Sequence, residues 1–168
     1  WSLGKKIGAI LGGTLVTVAA IGAVIVASKL SKINTVKLDT DKLSVSKEAK
    51  KRGSGYLNVA LFGVDSRDND LDKGTRSDTI MIASLNKKTM KVKIASIYRD
   101  TLSEQEDGTL NKINAAYSYG GPEGALSVLN KNLDMNIEHY VTVNFNSMID
   151  IVDSVGGIDI DVQEDEMP

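Results

Sequence analysis

The sequence predicts a layered α/β/α domain on a central mixed sheet, preceded by one transmembrane helix and truncated at its C-terminal end. Three observations carry this reading. Residues 7–27 form an uncharged apolar run. After Tyr56, β-branched runs of strand length recur. Between them lie segments with apolar residues at helical spacing, and strands alternating with helices imply a sheet with helices packed on it.

The run from Ile7 to Ala27 has the length of a bilayer span, which takes about 20 helical residues. A cleaved signal peptide has a shorter apolar core and a small-residue cleavage site, so residues 7–27 are expected to be an anchor and 1–6 a cytoplasmic tail. Lys5 and Lys6 precede the run and Lys29 and Lys32 follow it, so the positive-inside rule barely separates the two orientations.

Charge divides the chain. Residues 1–52 hold ten Lys/Arg against three Asp/Glu, and residues 53–168 hold ten against nineteen. The basic part beside the apolar run suits anionic lipid headgroups. The acidic remainder argues against a nucleic-acid partner, which favours a basic face. Residues 31–54 are polar and Lys-rich and run into a flexible boundary at Arg52-Gly53-Ser54-Gly55, so 28–54 read as a basic tether, with a short helix over SVSKEAKKR capped by Ser44 or Ser46. The absence of cysteine removes any disulfide framework or thiolate metal site.

From residue 55 onward the elements follow in order. LNVALFGV, TIMIASL and MKVKIASI read as strands, the last two joined by a hairpin turn at Asn86-Lys87-Lys88-Thr89. A long polar loop covers 98–110. Asn114 to Tyr119 opens one helix, and Gly121-Pro122-Glu123 begins a second, with Pro at its first turn and Ala125, Leu126, Leu129 and Leu133 at helical spacing. Residues 139–144 read as a strand, 146–155 as a helix and 158–162 as a further strand. The chain opens on Trp1 and stops at Pro168, so 55–168 is expected to be the N-terminal part of a longer domain, with an exposed apolar face and an open sheet edge.

Three of these strands run out into Asp/Arg pairs. Asp65 and Arg67 follow the first, Arg76 and Asp78 precede the second, and Arg99 and Asp100 follow the third. If the strands are neighbours, these ends converge. Carboxylates suit Mg²⁺, which keeps waters and shares its shell with phosphates, and arginine forks bind phosphate bidentately. The pattern therefore points to phosphoryl-transfer chemistry. Asp68, Asp70 and Asp72 resemble a calcium loop, but an EF-hand needs Gly at its sixth position and Glu at its twelfth, where this chain has Lys73 and Thr79. That stretch reads instead as a solvated loop able to act as a lid. The single histidine, His139, opens a strand and is read as structural. No Ser-His-Asp set, Walker loop or Cys/His metal spacing is present in the sequence.

Taken in series, LNVALFGVDSR (57–67), RSDTIM (76–81), SIYRDT (96–101), NKINAAY (111–117) with Gly120-Gly121, and VGGID (155–159) resemble the LytR-CpsA-Psr family in order and spacing. Position 98 is Tyr where that family usually has Pro, and the family's further arginines lie in a C-terminal segment outside this sequence. The resemblance implies an extracellular domain on a single-pass cell-membrane anchor. It implies a phosphotransferase that moves an anionic glycopolymer, teichoic acid or capsule, from a polyprenyl pyrophosphate carrier to peptidoglycan. By the same resemblance Asp65 and Asp78 match the Mg²⁺-associated carboxylates, and Arg76 and Arg99 the pyrophosphate-binding arginines. Arg67, Asp100 and Lys112 are further substrate-binding candidates. The lipid tail would occupy an apolar tunnel, which the Leu/Val/Ile-rich strands and the 122–133 helix could line, although the same residues suit a plain core. The competing reading is a non-catalytic, membrane-tethered module that binds polyprenyl phosphate or wall polymer.

Overall fold

The structure, a computed structural model, describes residues 35–66, 71 and 74–163, together with scattered positions between 17 and 28. The chain divides into two units, Trp1–Lys37 and Leu38–Pro168. In the first, the described positions from Thr17 to Ser28 are helical. Most of the expected 7–27 span, and the whole 1–6 tail, lies outside the described residues. No helix among the described residues is long and apolar enough to cross a membrane.

The second unit is built on a four-stranded mixed sheet of order β3-β2-β1-β6, in which β1 is Tyr56–Val64, β2 Ser77–Asn86, β3 Val92–Ile97 and β6 His139–Val143. The β1–β2 and β2–β3 pairs are antiparallel, and β6 runs parallel to β1. Burial along β1 alternates, with Asn58, Ala60, Phe62 and Val64 facing inward, as a strand with one covered face requires. The expected turn joins β2 to β3: Asn86 Oδ1 accepts from Lys88 N and Thr89 N at 2.9 Å each, and Met90 N donates to Asn86 O at 2.8 Å.

Helix α2 (Ala115–Leu133) covers one face of the sheet. It is two helices joined at Gly121, whose φ of 63° and ψ of −156° break the helical path just before Pro122, as the sequence anticipates. Leu126 and Leu129 meet Phe62, Ile80 and Ile82, all at most 3% exposed. The Tyr117 ring stands edge-on to Phe62 at 5.2 Å. This interface is filled core, so the strand and helix residues suggested for a lipid tunnel pack against each other here.

Residues 38–54 are docked against the domain, in contrast to the expected tether over 28–54. Leu43 is fully buried in the core, its carbonyl accepts from Asn130 Nδ2 at 2.9 Å, and Ser44 Oγ bonds Ser127 Oγ at 2.8 Å. Helix α1 (Lys47–Gly53) follows, capped by Ser46, whose Oγ accepts from Ala49 N at 2.9 Å. Arg52 pairs with Asp134 at the far end of α2. The few apolar side chains in this Lys-rich segment fit the one core available to them.

Two further differences concern the loops and the end of the chain. The stretch read as a polar loop over 98–110 holds part of a small hairpin, β4 (Leu102–Glu104) and β5 (Leu110–Lys112). Residues 158–162 form no strand, and Ile158 and Ile160 are 62% and 70% exposed. Their alternation has no partner strand among the described residues, and a strand persists only when paired. Helix α3 (Phe145–Ser154) touches β6 but leaves Phe145, Met148, Ile149 and Ile151 exposed. A full third layer is therefore not formed among the described residues. On the sheet face away from the core, Leu61 pairs with Met81 and Val141, and Ile94 sits beside Ala83. Ile94 and Val141 are exposed, matching the expected apolar face.

Candidate functional site

Because β2 is antiparallel to both neighbours, the ends of β1 and β3 and the start of β2 share one end of the sheet. Gly63 pairs with Thr79, and a Cβ on Gly63 would come within 3.0 Å of Thr79 Cβ, so glycine permits the close approach. A bulge just beyond it sets Val64 opposite Ser77. Asp65 is thus one residue past that pair, and Arg76 and Asp78 flank it on the other strand. All three are exposed.

The third strand completes the cluster. Arg99 Nη1 donates to Asp78 Oδ1 at 2.7 Å, Arg99 Nε is 3.9 Å from Asp100 Oδ2, and Lys112 Nζ is 2.6 Å from Asp100 Oδ1. Four of the residues singled out from the sequence, Asp78, Arg99, Asp100 and Lys112, therefore form one chain of alternating charge. The hydrogen bond from Lys112 pulls the Asp100 carboxyl below the usual carboxylate range, aided by the charges of Lys112 and Arg99 and opposed by desolvation. Arg99 carries five N–H donors and spends only a part of them on these carboxylates, leaving others for an anion. Arg76 and Asp65 make no ion pair among the described residues, and Arg67 lies outside them.

Two helices begin at the same end. Asn114 N, at the start of α2, donates to Arg99 O at 3.3 Å. Val143 pairs with Gly63, and the next residue, Asn144, caps α3 by accepting from Ser147 N at 2.8 Å. Helix N-termini favour anions through their free N–H groups and dipole. Together with the cations, they make this end of the sheet suited to phosphate.

The loop between β1 and β2 is pinned to α2 at its described points. Tyr117 Oη donates to Leu71 O at 2.6 Å, and Gly74 N donates to Ser118 O at 3.1 Å. Asp68, Asp70 and Asp72 of the expected lid lie outside the described residues. His139 pairs with Val59, toward the opposite end of β1 from the cluster.

A divalent cation is compatible with the donor set. Asp65, just past β1, and Asp78, on β2, offer exposed hard oxygens, and Asp78 engages Arg99 through Oδ1. No group of three or more metal-binding side chains occurs among the described residues. Mg²⁺ needs only one or two carboxylates when waters and substrate phosphates supply the rest, so it fits this set better than Ca²⁺, which takes six to eight oxygens.

Sequence reasoning missed the β4–β5 hairpin, which carries Lys112 to Asp100. Its signal was Asp107-Gly108, a turn dipeptide inside a stretch too polar to read as paired strands. Asp107 Oδ1 accepts from Thr109 N at 2.9 Å and from Thr109 Oγ1 at 2.7 Å, which fixes the turn and lowers the Asp107 carboxyl from its ordinary value.

These features define a mixed α/β domain whose sheet end gathers carboxylates, guanidiniums and helix N-termini. The model of the LytR_cpsA_psr family matches residues 21–167, and the chain belongs to that family. The polyisoprenyl-teichoic acid–peptidoglycan teichoic acid transferase TagU of Bacillus cereus is 35% identical over 162 residues, covering 95% of this chain and 51% of that protein. The chain thus spans about half the length of the curated relatives it matches. The crystal structure of TagV from B. subtilis is 35% identical, covers 64% of this chain and 43% of its own, and superposes with a TM-score of 0.56. The LytR-CPS2A-psr family protein YwtF (TagT), with bound octaprenyl pyrophosphate lipid, shares the fold at 23% identity and a TM-score of 0.57, covering 79% of this chain and 47% of its own.

Proposed function

We propose that this protein is a membrane-anchored phosphotransferase that moves an anionic glycopolymer from a polyprenyl pyrophosphate carrier to a peptidoglycan hydroxyl. The observation that carries the reading is the Asp78–Arg99–Asp100–Lys112 chain at the end of the sheet that also receives two helix N-termini. Relatives such as TagU, named as teichoic acid transferases, support the polymer and the acceptor. The uncharged run at 7–27 would anchor the protein in the cell membrane and hold the domain on its extracellular side, beside the lipid carrier.

In this reading the acceptor oxygen attacks the polymer-linked phosphorus, the bond to the bridging oxygen breaks, and polyprenyl phosphate leaves. Negative charge grows on the leaving phosphate, and fixed positive groups that meet it lower the barrier. Arg99 and Arg76 hold the pyrophosphate oxygens. Asp100 orients Arg99 and Lys112, and Asp78 keeps Arg99 at the sheet end. Asp65 and Asp78 would hold Mg²⁺, which supplies charge neutralisation to the phosphates. Asp65, exposed just past β1, would either take the proton of the incoming hydroxyl or contact the metal. Arg67, two positions after Asp65 in the sequence, is a further candidate for binding the substrate.

The test is the reaction itself: purified protein, polyprenyl-pyrophosphate-linked polymer, peptidoglycan and Mg²⁺. Linked polymer and released polyprenyl phosphate are expected, and Arg99→Ala or Asp78→Ala should lower the rate by about 10²- to 10³-fold. A protein that retains lipid but forms no product is a binding module, and full activity in both variants removes the site assignment.

A further inference from the structure

At the end of the sheet opposite the Asp78–Arg99 cluster, the β2–β3 turn gathers charge of one sign only. No Asp or Glu occurs between Asp78 and Asp100, and Lys87, Lys88, Lys91 and Lys93 all fall in that stretch. All four are exposed. Residues 53–168 as a whole are acidic, with ten Lys/Arg against nineteen Asp/Glu, so this basic end stands apart from the rest of the domain.

Helix α1 extends the patch. Lys87 N donates to Gly55 O at 3.0 Å and Lys87 Nζ to Ser54 O at 3.4 Å, which holds the turn against the residues that follow α1. Lys50 and Arg52 of the helix pair with Glu138 and Asp134. Lys47, Lys51 and the four turn lysines form no ion pair among the described residues. Their charge is left for a partner outside the domain.

The tip is apolar as well as basic. Met90 has a φ of 55°, a left-handed conformation that favours Gly or Asn, and it is 69% exposed. Val92 is 57% exposed. Turn geometry does not call for methionine at that position, and the core does not receive it. An apolar side chain ringed by lysines suits a bilayer surface, where ammonium groups meet lipid phosphates while stems and apolar groups enter the acyl boundary. A soluble polyanion would engage the lysines and leave Met90 in water.

We propose that the β2–β3 turn, together with α1, docks the domain on a bilayer surface that carries anionic phospholipids. Ten residues, 28–37, separate the anchor proposed for 7–27 from Leu38, and so short a link raises the effective concentration of the patch at the same membrane. The attraction grows with each lysine near the surface and fades within a Debye length of about 8 Å at physiological salt. Ser77–Asn86 spans ten residues, or roughly 30 Å of strand, so docking by the turn directs the charged cluster away from the headgroups.

The sequence contains no cysteine, so Thr89→Cys at the turn and Leu102→Cys near the cluster each give one site for an environment-sensitive fluorophore. The full chain is reconstituted in nanodiscs of phosphatidylcholine alone or with about 30% phosphatidylglycerol. A blue shift of the Thr89 label is expected only in the anionic discs, reversed by about 0.5 M NaCl, with no response from the Leu102 label. Lys88→Gln, Lys91→Gln and Lys93→Gln combined, which spare the contact of Lys87 with Ser54, should remove most of the shift and leave the thermal melt unchanged. Met90→Ser should diminish it. Equal signals in neutral and anionic discs, equal responses from both labels, or a full shift in the folded triple variant overturn the docking. A response to soluble polyphosphate as large as that to the anionic discs also overturns it, in favour of a polyanion site. A chain that leaves the bilayer at high salt counts against the anchor alone, and the patch is then judged by the Thr89 label with added phosphatidylglycerol vesicles.

Discussion

Arg99 Nη1 lies 2.7 Å from Asp78 Oδ1, which ties the end of β3 to the start of β2 across the charged end of the sheet. The two side chains are 53% and 44% exposed, and ion pairs in such positions contribute about 0–1 kcal/mol to stability. Arg99→Ala should therefore leave the urea unfolding midpoint nearly unchanged, with a loss of about 1 kcal/mol at most. A loss several times larger would mean that the pair holds the fold together.

Asp100 gives a pH prediction. Its carboxyl is held below the ordinary carboxylate value of about 3.9, first by the Lys112 hydrogen bond and then by the charges of Lys112 and Arg99. A depressed folded-state value means that the stabilisation is present above the unfolded value and is lost as pH falls through the folded one. The Asp100 resonance in a carboxyl NMR titration should thus titrate below the ordinary carboxylate value, and Lys112→Ala should move its midpoint up toward that value. An unmoved midpoint in that variant would contradict the pairing.

Asn130 secures the docked segment. Its Nδ2 donates to Leu43 O and Ile137 O at 2.9 Å each, and its Oδ1 accepts from Ile137 N at 2.8 Å, all in a buried setting. Asn130→Ala leaves three buried backbone groups without partners and should cost about 2–4 kcal/mol. Hydrogen exchange at Ile137 should accelerate with it, whereas a neutral effect in urea unfolding would argue against docking of residues 38–46.

The glycine pair in α2 separates backbone need from space. Gly121 has a φ of 63° and is buried, so Gly121→Ala should destabilise by about 1–3 kcal/mol. Gly120 has open space at its Cβ and a helical setting, so Gly120→Ala should be neutral or stabilise by up to about 1 kcal/mol. Urea unfolding of the two variants would show the contrast, and equal effects would place the kink elsewhere.

The four strands of the main sheet, the hairpin at Asn86 and the nearness of Asp78 to Arg99 were legible because alternation and turn chemistry are local signals. The contacts of Leu43 were not, because a single leucine in a Lys-rich stretch gives no sign of the core that receives it. The alternation of Ile158 and Ile160 suggested a strand, but alternation names a face and does not supply a neighbour. Asp100 and Lys112 were both candidates from motif position. That they pair depends on the β4–β5 hairpin, whose strands are three residues each and too short to show a period.

The central claim is that the sheet-end cluster receives a pyrophosphate, and calorimetric titration of inorganic pyrophosphate with and without Mg²⁺ tests it most directly. Saturable binding strengthened by Mg²⁺ is expected, weakened tenfold or more in Arg99→Ala and in Arg76→Ala while both variants keep the wild-type melt. Binding of equal strength in the wild type and both variants would contradict the account.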